Sequence, residues 1–187
     1  WPGRVVFEVS SPAEVVRAEA IWRRSSRSIR LRGLKLISAA TGAEIPDAIL
    51  LAYDQERVAI CFRPIAGPGL YYLYYGALEP VLFDPAAKWK VSALACDAPA
   101  EAVSLRIESR CALDSFYPME VIALAPEVEA LLARHPDASY LVFPEDRDRP
   151  IKLTLEIPAG WAERGPAPDV RLAADRSEYR VFQLGLW

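Results

Sequence analysis

Five carboxylates in two short segments are the residues of this sequence best suited to chemistry. Asp114 and Glu120 stand at the two ends of "DSFYPME", and Glu145, Asp146 and Asp148 lie in "FPEDRDRP". Hydrolysis of a glycosidic bond needs two such groups, one acid and one base or nucleophile, about 5–9.5 Å apart. A self-contained glycosidase would therefore require the two segments to converge in one cleft.

Each segment also has a simpler interpretation. "FPEDRDRP" alternates acids with bases between two prolines, which favours a solvated loop with local ion pairs. Its spacing lacks the ordered series of oxygen ligands that a calcium loop needs. In "DSFYPME", Pro118 biases Tyr117 towards an extended conformation, which predicts a turn that leads into a strand "MEVIAL". We retain Asp114, Phe116, Tyr117 and Glu120 as candidate binding or interface residues.

Other catalytic and metal-binding arrangements have little support. His135 is the only histidine, and it lies at the end of a predicted helix, where a cation would suit the helix dipole. The three cysteines, Cys61, Cys96 and Cys111, are unevenly spaced and form no CxxC pair, so the sequence predicts neither a zinc site nor a closed disulfide framework. Nothing resembles a Walker or dinucleotide fingerprint, and no cofactor is predicted. Buried or free thiols are favoured. One disulfide with one cysteine left over is the alternative for a secreted protein.

The segment "LYYLYYG", Leu70 to Gly76, places four tyrosines in one predicted strand. Because side chains alternate along a strand, one face carries Tyr71, Leu73 and Tyr75 and the other carries Leu70, Tyr72 and Tyr74. Both faces are largely apolar, which is typical of a central strand covered on both sides. We expect one face to lie in the core and the other to meet a further element, a subunit or a ligand, with Tyr71, Tyr72, Tyr74 and Tyr75 as candidate residues.

Length and charge exclude several classes of function. The 187 residues, 52% of them hydrophobic and 25% charged, suit one ordinary globular domain or at most two small ones. The net charge of -3 and the absence of any basic run longer than two residues argue against nucleic acid as a partner. No apolar run approaches the roughly 18 residues of a membrane span, and the first ten residues lack the pattern of a signal peptide.

Hydrophobic residues alternate with period two in most of the chain, which indicates strands with one wet face. The clearest examples are "VRAEAIW", "AVSLRIES" and "IKLTLEI". Sixteen prolines suit strand ends better than helices. Pro126 and Pro136 delimit one predicted helix at about 126–135, whereas "FDPAAKWK" and "PAGWAERGPAP" are predicted loops. The pattern predicts a mainly β fold, an antiparallel β-sandwich with one short helix, in a single domain over residues 1–187.

Several blocks occur in an order that resembles the N-terminal domain of proteins similar to glycoside hydrolase family 123. They are "VRAEAIWRRS", "ATGAEIPDA", "FRPIAGPGLYYLYY", "DSFYPMEVIALAPEVEALLARHPDASYLVFPEDRDRPIKL" and "EYRVFQLGLW". This resemblance implies an N-terminal β-sandwich followed by a barrel that carries the glycosidase chemistry. The family's catalytic Asp-Glu pair belongs to that barrel, so no catalytic residue of this chain is implied.

We therefore expect a non-catalytic accessory β-sandwich domain that packs on a catalytic barrel of the same parent protein. A start at Trp1 rather than methionine leads us to expect a longer natural polypeptide. The alternatives are a carbohydrate-binding module, with exposed coplanar aromatic rings, and a domain that self-associates into oligomers or filaments. A relative of glycosidases that digest external glycans would be secreted or at the cell surface.

Overall fold

A computed structural model describes residues 1–25, 32–78, 94–110, 117–167 and 169–187. The chain divides into two compact units. Unit 1 comprises Trp1–Trp22 and Ser26–Ser115, and unit 2 comprises Arg23–Ser25 and Phe116–Trp187. The prediction of a single domain over residues 1–187 stays a prediction, which a test of cooperative unfolding would decide.

Unit 1 is built from seven strands. They are β1 (Gly3–Val9), β2 (Val16–Ile21), β3 (Arg32–Ser38), β4 (Ala48–Tyr53), β5 (Arg57–Phe62), β6 (Gly69–Leu78) and β7 (Ala100–Ser109). They form one curled mixed sheet in the order β3-β6-β1-β7-β2-β5-β4. The prediction of a mainly β fold is confirmed.

Strand β7 makes the sheet continuous, where two separate antiparallel sheets were predicted. Its first residues pair in parallel with β2, with Val16 opposite Ala100, while its remainder pairs antiparallel with β1, from Val103 to Ser109. The other neighbours in the sheet pair antiparallel. Strand β7 thus pairs with β1 on one edge and with β2 on the other, and so joins the two halves of the sheet.

The core of unit 1 follows the predicted alternation in most strands. In β2 the inward residues Val16, Ala18 and Ala20 are buried, and so is Trp22, as the sequence predicts. Tyr71, Leu73 and Tyr75 of β6 are buried as well. Trp22 contacts Tyr53 and Tyr75 in tilted ring pairs and donates its indole N–H to the carbonyl of Asp54 at 2.8 Å. The N–H of this large ring is satisfied, so its burial carries no polar penalty.

Strand β7 departs from its predicted burial because of a bulge. The pairing of β1 with β7 shifts between Val6 and Phe7, so that one residue of β7 is left over. Since an extra residue reverses the faces beyond it, Val103 pairs with Glu8 on the outer side and is 53% exposed; Leu105 is 42% exposed. The predicted burial of these two side chains is therefore wrong.

Unit 1 also contains a disulfide between Cys61 of β5 and Cys96 of the segment that precedes β7, with Cα atoms 6.2 Å apart. The favoured prediction of buried or free thiols is wrong for this pair, and the disulfide of the alternative is present. The spacing of 35 residues gave no signal, because the pairing depends on where the sheet brings β5. Cys111 lies outside the described residues.

Unit 2 packs two short helices and a two-stranded sheet around its own core. The helices are α1 (Ala125–Ala133) and α2 (Ala159–Arg164), and the antiparallel strands are β8 (Val142–Asp146) and β9 (Phe182–Leu186). The core contains Met119, Ala123, Leu131, Leu141, Phe143, Ile157, Trp161 and Ala162. The predicted helix at about 126–135 is confirmed with slightly earlier ends. No helix in the described part of the chain is long and apolar enough to span a membrane.

Three predictions in unit 2 are wrong. "IKLTLEI" forms no strand; the N–H of Ile151 binds the side chain of Gln183 at 3.1 Å instead of a neighbouring strand. The predicted strand "MEVIAL" is a 3-10 helix at Pro118–Glu120 followed by isolated bridges. "PAGWAERGPAP" is not only a loop, because it contains α2, which buries Trp161. An alternating sequence does not show whether a neighbouring strand is available for pairing. The segment "FDPAAKWK" lies outside the described residues.

Candidate functional site

The four candidate tyrosines divide between the core and the surface. Tyr71 and Tyr75 lie in the core, and the hydroxyl of Tyr71 donates a hydrogen bond to the carbonyl of Gly67 at 2.7 Å. Burial raises the pKa of Tyr71. Tyr72 and Tyr74 point to the opposite side and are partly exposed. Only this second pair is in a position to meet a partner.

Tyr72 and Tyr74 belong to a surface that we call the outer face, the solvent side of β3, β6, β1 and β7. Its side chains are arranged in three cross-strand rows. The rows are Val103–Glu8–Leu70, Arg106–Val6–Tyr72–Ile37 and Glu108–Arg4–Tyr74–Lys35. Neighbours within such rows interact directly. Val6 is buried at the centre of the middle row, and around it the outer face combines partly exposed aromatic and aliphatic groups with charged groups.

Arg4 is the most tightly held polar residue of the outer face. Its Nε donates to Glu108 at 2.6 Å and its Nη1 donates to the Tyr74 hydroxyl at 3.0 Å. Its guanidinium lies 4.0 Å from the ring centroid of Tyr72. A partly exposed ion pair contributes about 0–1 kcal/mol, and an exposed cation–π contact contributes about 0.5–1 kcal/mol. The arrangement therefore does more to fix the orientation of Arg4 than to stabilise the fold.

The same contacts favour the charged forms of both ionic partners. Burial lowers the pKa of Arg4, but hydrogen bonds to Tyr74 and Glu108 outweigh it, so the pKa is raised. Glu108 also accepts a hydrogen bond from Arg106 at 2.5 Å. The hydrogen bonds from Arg106 and Arg4 hold the pKa of Glu108 below its ordinary value. Glu108 thus remains an acceptor and Arg4 remains a donor at neutral pH.

A pocket of about 220 Å³ opens beside the last row of the outer face. It is lined by Trp1, Pro2, Gly3, Arg4, Tyr74, Glu108, Ser109 and Arg110. We call it the Arg4 pocket. Among the residues that the structure describes, Nη2 of Arg4 has no hydrogen-bond acceptor. One aromatic wall, a carboxylate and unused donors therefore face the same small space.

Two glycines allow the wall of the Arg4 pocket to form. A Cβ on Gly76, which has φ +86°, would come within 2.6 Å of the Pro2 ring, and a Cβ on Gly3 would come within 2.5 Å of Tyr75. The Pro2 carbonyl also accepts a hydrogen bond from the backbone of Arg110 at 2.9 Å. These contacts hold the segment of Trp1 and Pro2 against the ends of β6 and β7.

In unit 2 Tyr117 and Glu120, the ends of the described part of "DSFYPME", contact residues of "FPEDRDRP" and of the segment that follows it. The hydroxyl of Tyr117 donates to the backbone carbonyl of Asp148 at 2.6 Å. Lys152 lies 5.0 Å from the ring centroid of Tyr117 and 3.1 Å from a carboxylate oxygen of Glu120. Asp114 and Phe116 lie outside the described residues. The described contacts link the two segments into one scaffold.

The acids of "FPEDRDRP" have structural partners. Glu145 is buried and accepts hydrogen bonds from Trp161 Nε1 at 3.0 Å and from Arg164 at 2.5 Å. Asp146 accepts the backbone N–H of Asp148 at 2.9 Å and so closes a turn. Within the described residues no group of three or more His, Cys, Asp or Glu side chains could hold a metal ion.

Sequence reasoning missed the residues that organise the outer face. Glu108 is a polar member of an alternating strand, and Arg4 precedes the apolar run of residues 5–7, so neither position stands out in the sequence. Their pairing joins residues 104 positions apart. The register of β1 with β6 and β7 brings Arg4 and Glu108 together. No local sequence pattern specifies that register.

One comparison with known proteins found a match. Residues 3–79 match the family model described as glycoside hydrolase 123, N-terminal domain. No curated protein and no solved structure matches the chain.

Proposed function

We propose that the chain is the non-catalytic accessory part of a glycoside hydrolase-like protein, because residues 3–79 match the model of the glycoside hydrolase 123 N-terminal domain. In this proposal the outer face packs against the catalytic barrel of the same parent polypeptide. The family match is the observation that carries the proposal. The matched segment contains β1, β3 and β6, three of the four strands that form the outer face.

The composition of the outer face supports a docking role. Tyrosine and arginine are enriched at protein interfaces, where they contribute many of the energetically dominant contacts. Tyr72 and Tyr74 are partly exposed, and Arg4 already has the orientation in which a partner would meet it. Because little side-chain entropy remains to be lost there, such a surface binds at a reduced entropic cost. The exposed Val103 and Leu105 extend its apolar part along β7.

The environments of the described acids support a non-catalytic role. Glycosidase chemistry needs one carboxyl group available as an acid and a second as a base or nucleophile. Glu145 is held by Trp161 and Arg164, and Glu120 is paired with Lys152. In this proposal the reacting carboxylates belong to the barrel.

The disulfide between Cys61 and Cys96 supports a secreted or cell-surface location. Disulfides persist in oxidising compartments and are rare where glutathione keeps thiols reduced. An enzyme that acts on external glycans would work in such a compartment.

The docking proposal is tested by placing a charge on the outer face. We expect Val103→Asp to lower the unfolding temperature of the natural polypeptide, because it puts a carboxylate beside Glu8 in a buried interface. The same variant in the 187-residue chain should change the unfolding temperature little, since Val103 is 53% exposed there. Calorimetry of both forms provides the measurement.

Ile21→Asp is the matched control. Ile21 is 57% exposed at the end of β2, outside the three rows of the outer face, and Arg57 opposes it in the neighbouring strand. We expect it to be silent in both forms. Equal destabilisation of both forms by Val103→Asp, or no effect in either, would contradict docking through the outer face. Dimers of the 187-residue chain that Val103→Asp dissociates would instead identify a second copy as the partner.

A further inference from the structure

We propose that the Arg4 pocket binds a single pyranose ring of a glycan through two neighbouring hydroxyl groups. The choice of a glycan as the ligand rests on the proposed function, because the matched family model is that of a glycoside hydrolase domain. The site itself follows from the geometry of unit 1. Its five central features are the Trp1 wall, the donors of Arg4 and Tyr74, the acceptor of Glu108 and the size of the space.

The volume of the pocket limits the ligand to about one sugar ring. Drug-sized ligands occupy pockets of about 300–1,000 Å³, and the Arg4 pocket measures about 220 Å³. A single ring fits a space below that range, and a longer glycan would have to extend out of the pocket. The ligand is therefore a terminal sugar or one protruding unit of a chain.

The polar groups of the pocket match a vicinal diol. Each sugar hydroxyl both donates and accepts a hydrogen bond, so a pair of them needs an acceptor and a donor side by side. The Glu108 carboxylate supplies the acceptor, and Nη2 of Arg4 supplies a donor that no described residue uses. The Tyr74 hydroxyl accepts from Arg4 and so keeps its own proton to donate. Hydrogen bonds to charged groups are the stronger kind.

Trp1 supplies the apolar surface that a sugar ring requires. Trp1 lines the pocket and is 39% exposed, so in this proposal its indole is the surface on which the sugar packs. The C–H groups on one side of a pyranose are apolar and pack on an aromatic face, while the hydroxyls point to polar groups at the ring edge. The close fit of Pro2 on Gly76 fixes the segment that carries this indole.

The Glu108 carboxylate, 2.6 Å from Arg4, disfavours a phosphate or sulfate at that end of the pocket, because like charges repel. Arg110 also lines the pocket, so the anionic probe of the experiment below decides between a neutral polyol and an anion. A diol uses both members of the ion pair without placing a third charge beside them.

The pocket and the docking surface are separable by mutation. Tyr72 and Val103 belong to the outer face and do not line the pocket, whereas Trp1 lines the pocket and lies outside the three rows. A variant of each kind therefore tests one proposal without the other.

The experiment measures binding of free sugars to the 187-residue chain by saturation-transfer NMR, followed by titration calorimetry. The probes are methyl glycosides of glucose, galactose, mannose and the two N-acetylhexosamines, with glucuronate as the anionic comparison. We expect at least one neutral glycoside to bind with a dissociation constant on the order of 1 mM, the weak end of the affinity scale. Trp1→Ala and Glu108→Gln should each weaken it about tenfold or more.

Two controls identify the site. Val103→Asp should leave sugar binding unchanged, because Val103 does not line the pocket. Tyr179→Ala removes an aromatic side chain of unit 2 that is 92% exposed and should also be silent. Absence of binding at 50-fold above the expected constant, equal or tighter binding of glucuronate, or binding that survives Trp1→Ala and Glu108→Gln would each overturn the proposal. A Val103→Asp variant that binds sugar but no longer docks would retain this inference and support the proposed function separately.

Discussion

Arg4 makes three kinds of contact at once, with a carboxylate, a phenol hydroxyl and an aromatic face. Each of them is weak where water has access, so their main effect is to leave the guanidinium with one preferred direction. Glu108 plays the complementary role by accepting from Arg4 and Arg106. A prearranged pair of donor and acceptor on a sheet surface is the feature on which both proposals depend.

The lowered pKa of Glu108 predicts how its stabilising contribution depends on pH. Hydrogen bonds from Arg106 and Arg4 depress the pKa in the folded chain below the value of 4.5 that it has when unfolded. The contribution is therefore fully present above 4.5 and is lost as the pH falls through the lowered folded value. We expect Glu108→Gln to have a lower unfolding temperature than the parent chain at pH 7, with a difference that shrinks towards pH 3. A difference that stays constant in thermal scans from pH 7 to 3 would contradict the ion pairs.

Gly185 provides a second prediction at the level of one residue. It lies opposite Phe143 in the β8–β9 pair, and a Cβ there would come within 1.9 Å of the Trp161 ring. That ring stacks on Phe143 with centroids 4.5 Å apart. Overpacking of a core costs about 1–3 kcal/mol, so we expect Gly185→Ala to destabilise unit 2 by roughly that amount. Urea unfolding followed by tryptophan fluorescence measures the loss.

Gly160→Ala is the matched control for that substitution. Gly160 lies in α2, next to Trp161, and no atom lies within 4 Å of a Cβ built there. Alanine also has the higher helix propensity. We expect Gly160→Ala to leave the free energy of unfolding unchanged or to raise it slightly. An equal loss of stability in the two variants would show that the close contact of Gly185 with Trp161 is not the cause of the loss.

At the level of elements, the sequence predicted strands well where alternation and burial agree. The inward residues of β2 and the division of β6 into two faces follow from the period of two. The bulge in β7 does not follow from this period, because an extra residue in one strand can be recognised only when the partner strand is known. The same limit applies to "IKLTLEI", which alternates like a strand but finds the side chain of Gln183 where a strand would have to be.

The helix α2 was missed for a different reason. Six residues between a proline and a glycine are too few to display a helical period, and such short helices depend on tertiary contacts. Here the contacts are the stacking of Trp161 on Phe143 and its hydrogen bond to Glu145. For the candidate site, sequence alone identified Tyr72 and Tyr74 but not Arg4 and Glu108, whose roles arise from the register of β1 with two other strands.

The disulfide predicts a reductant-dependent stability of unit 1. It links β5 to the segment before β7 across 35 residues of sequence, and a loop of that size corresponds to about 2–4 kcal/mol. We expect the double variant Cys61→Ala and Cys96→Ala to lose roughly that much stability in denaturant unfolding. Addition of dithiothreitol should destabilise the parent chain and leave the double variant unchanged. A parent chain that is insensitive to the reductant under unfolding conditions would contradict the link.

At the level of the whole molecule, two compact units with separate cores serve different purposes in this account. Unit 1 presents the outer face and the Arg4 pocket, and it contains the segment that matches the family model. In unit 2 the buried Glu145 and the contact of Tyr117 with Asp148 belong to a scaffold. The sequence suggested a resemblance to the N-terminal domain along nearly the whole chain, and the family match covers residues 3–79. The outer face and the Arg4 pocket could be described only from the structure.

The most direct test of the docking proposal is hydroxyl-radical labelling of Tyr72 and Tyr74 in the natural polypeptide and in the 187-residue chain, quantified by mass spectrometry. Both tyrosines are partly exposed in the chain described above, so both should be labelled in the 187-residue form. The account predicts that the natural polypeptide is longer and that its tyrosines are protected several-fold, while labelling of Tyr179 is unchanged. Equal labelling of Tyr72 and Tyr74 in the two forms, or a natural polypeptide of 187 residues, would contradict it.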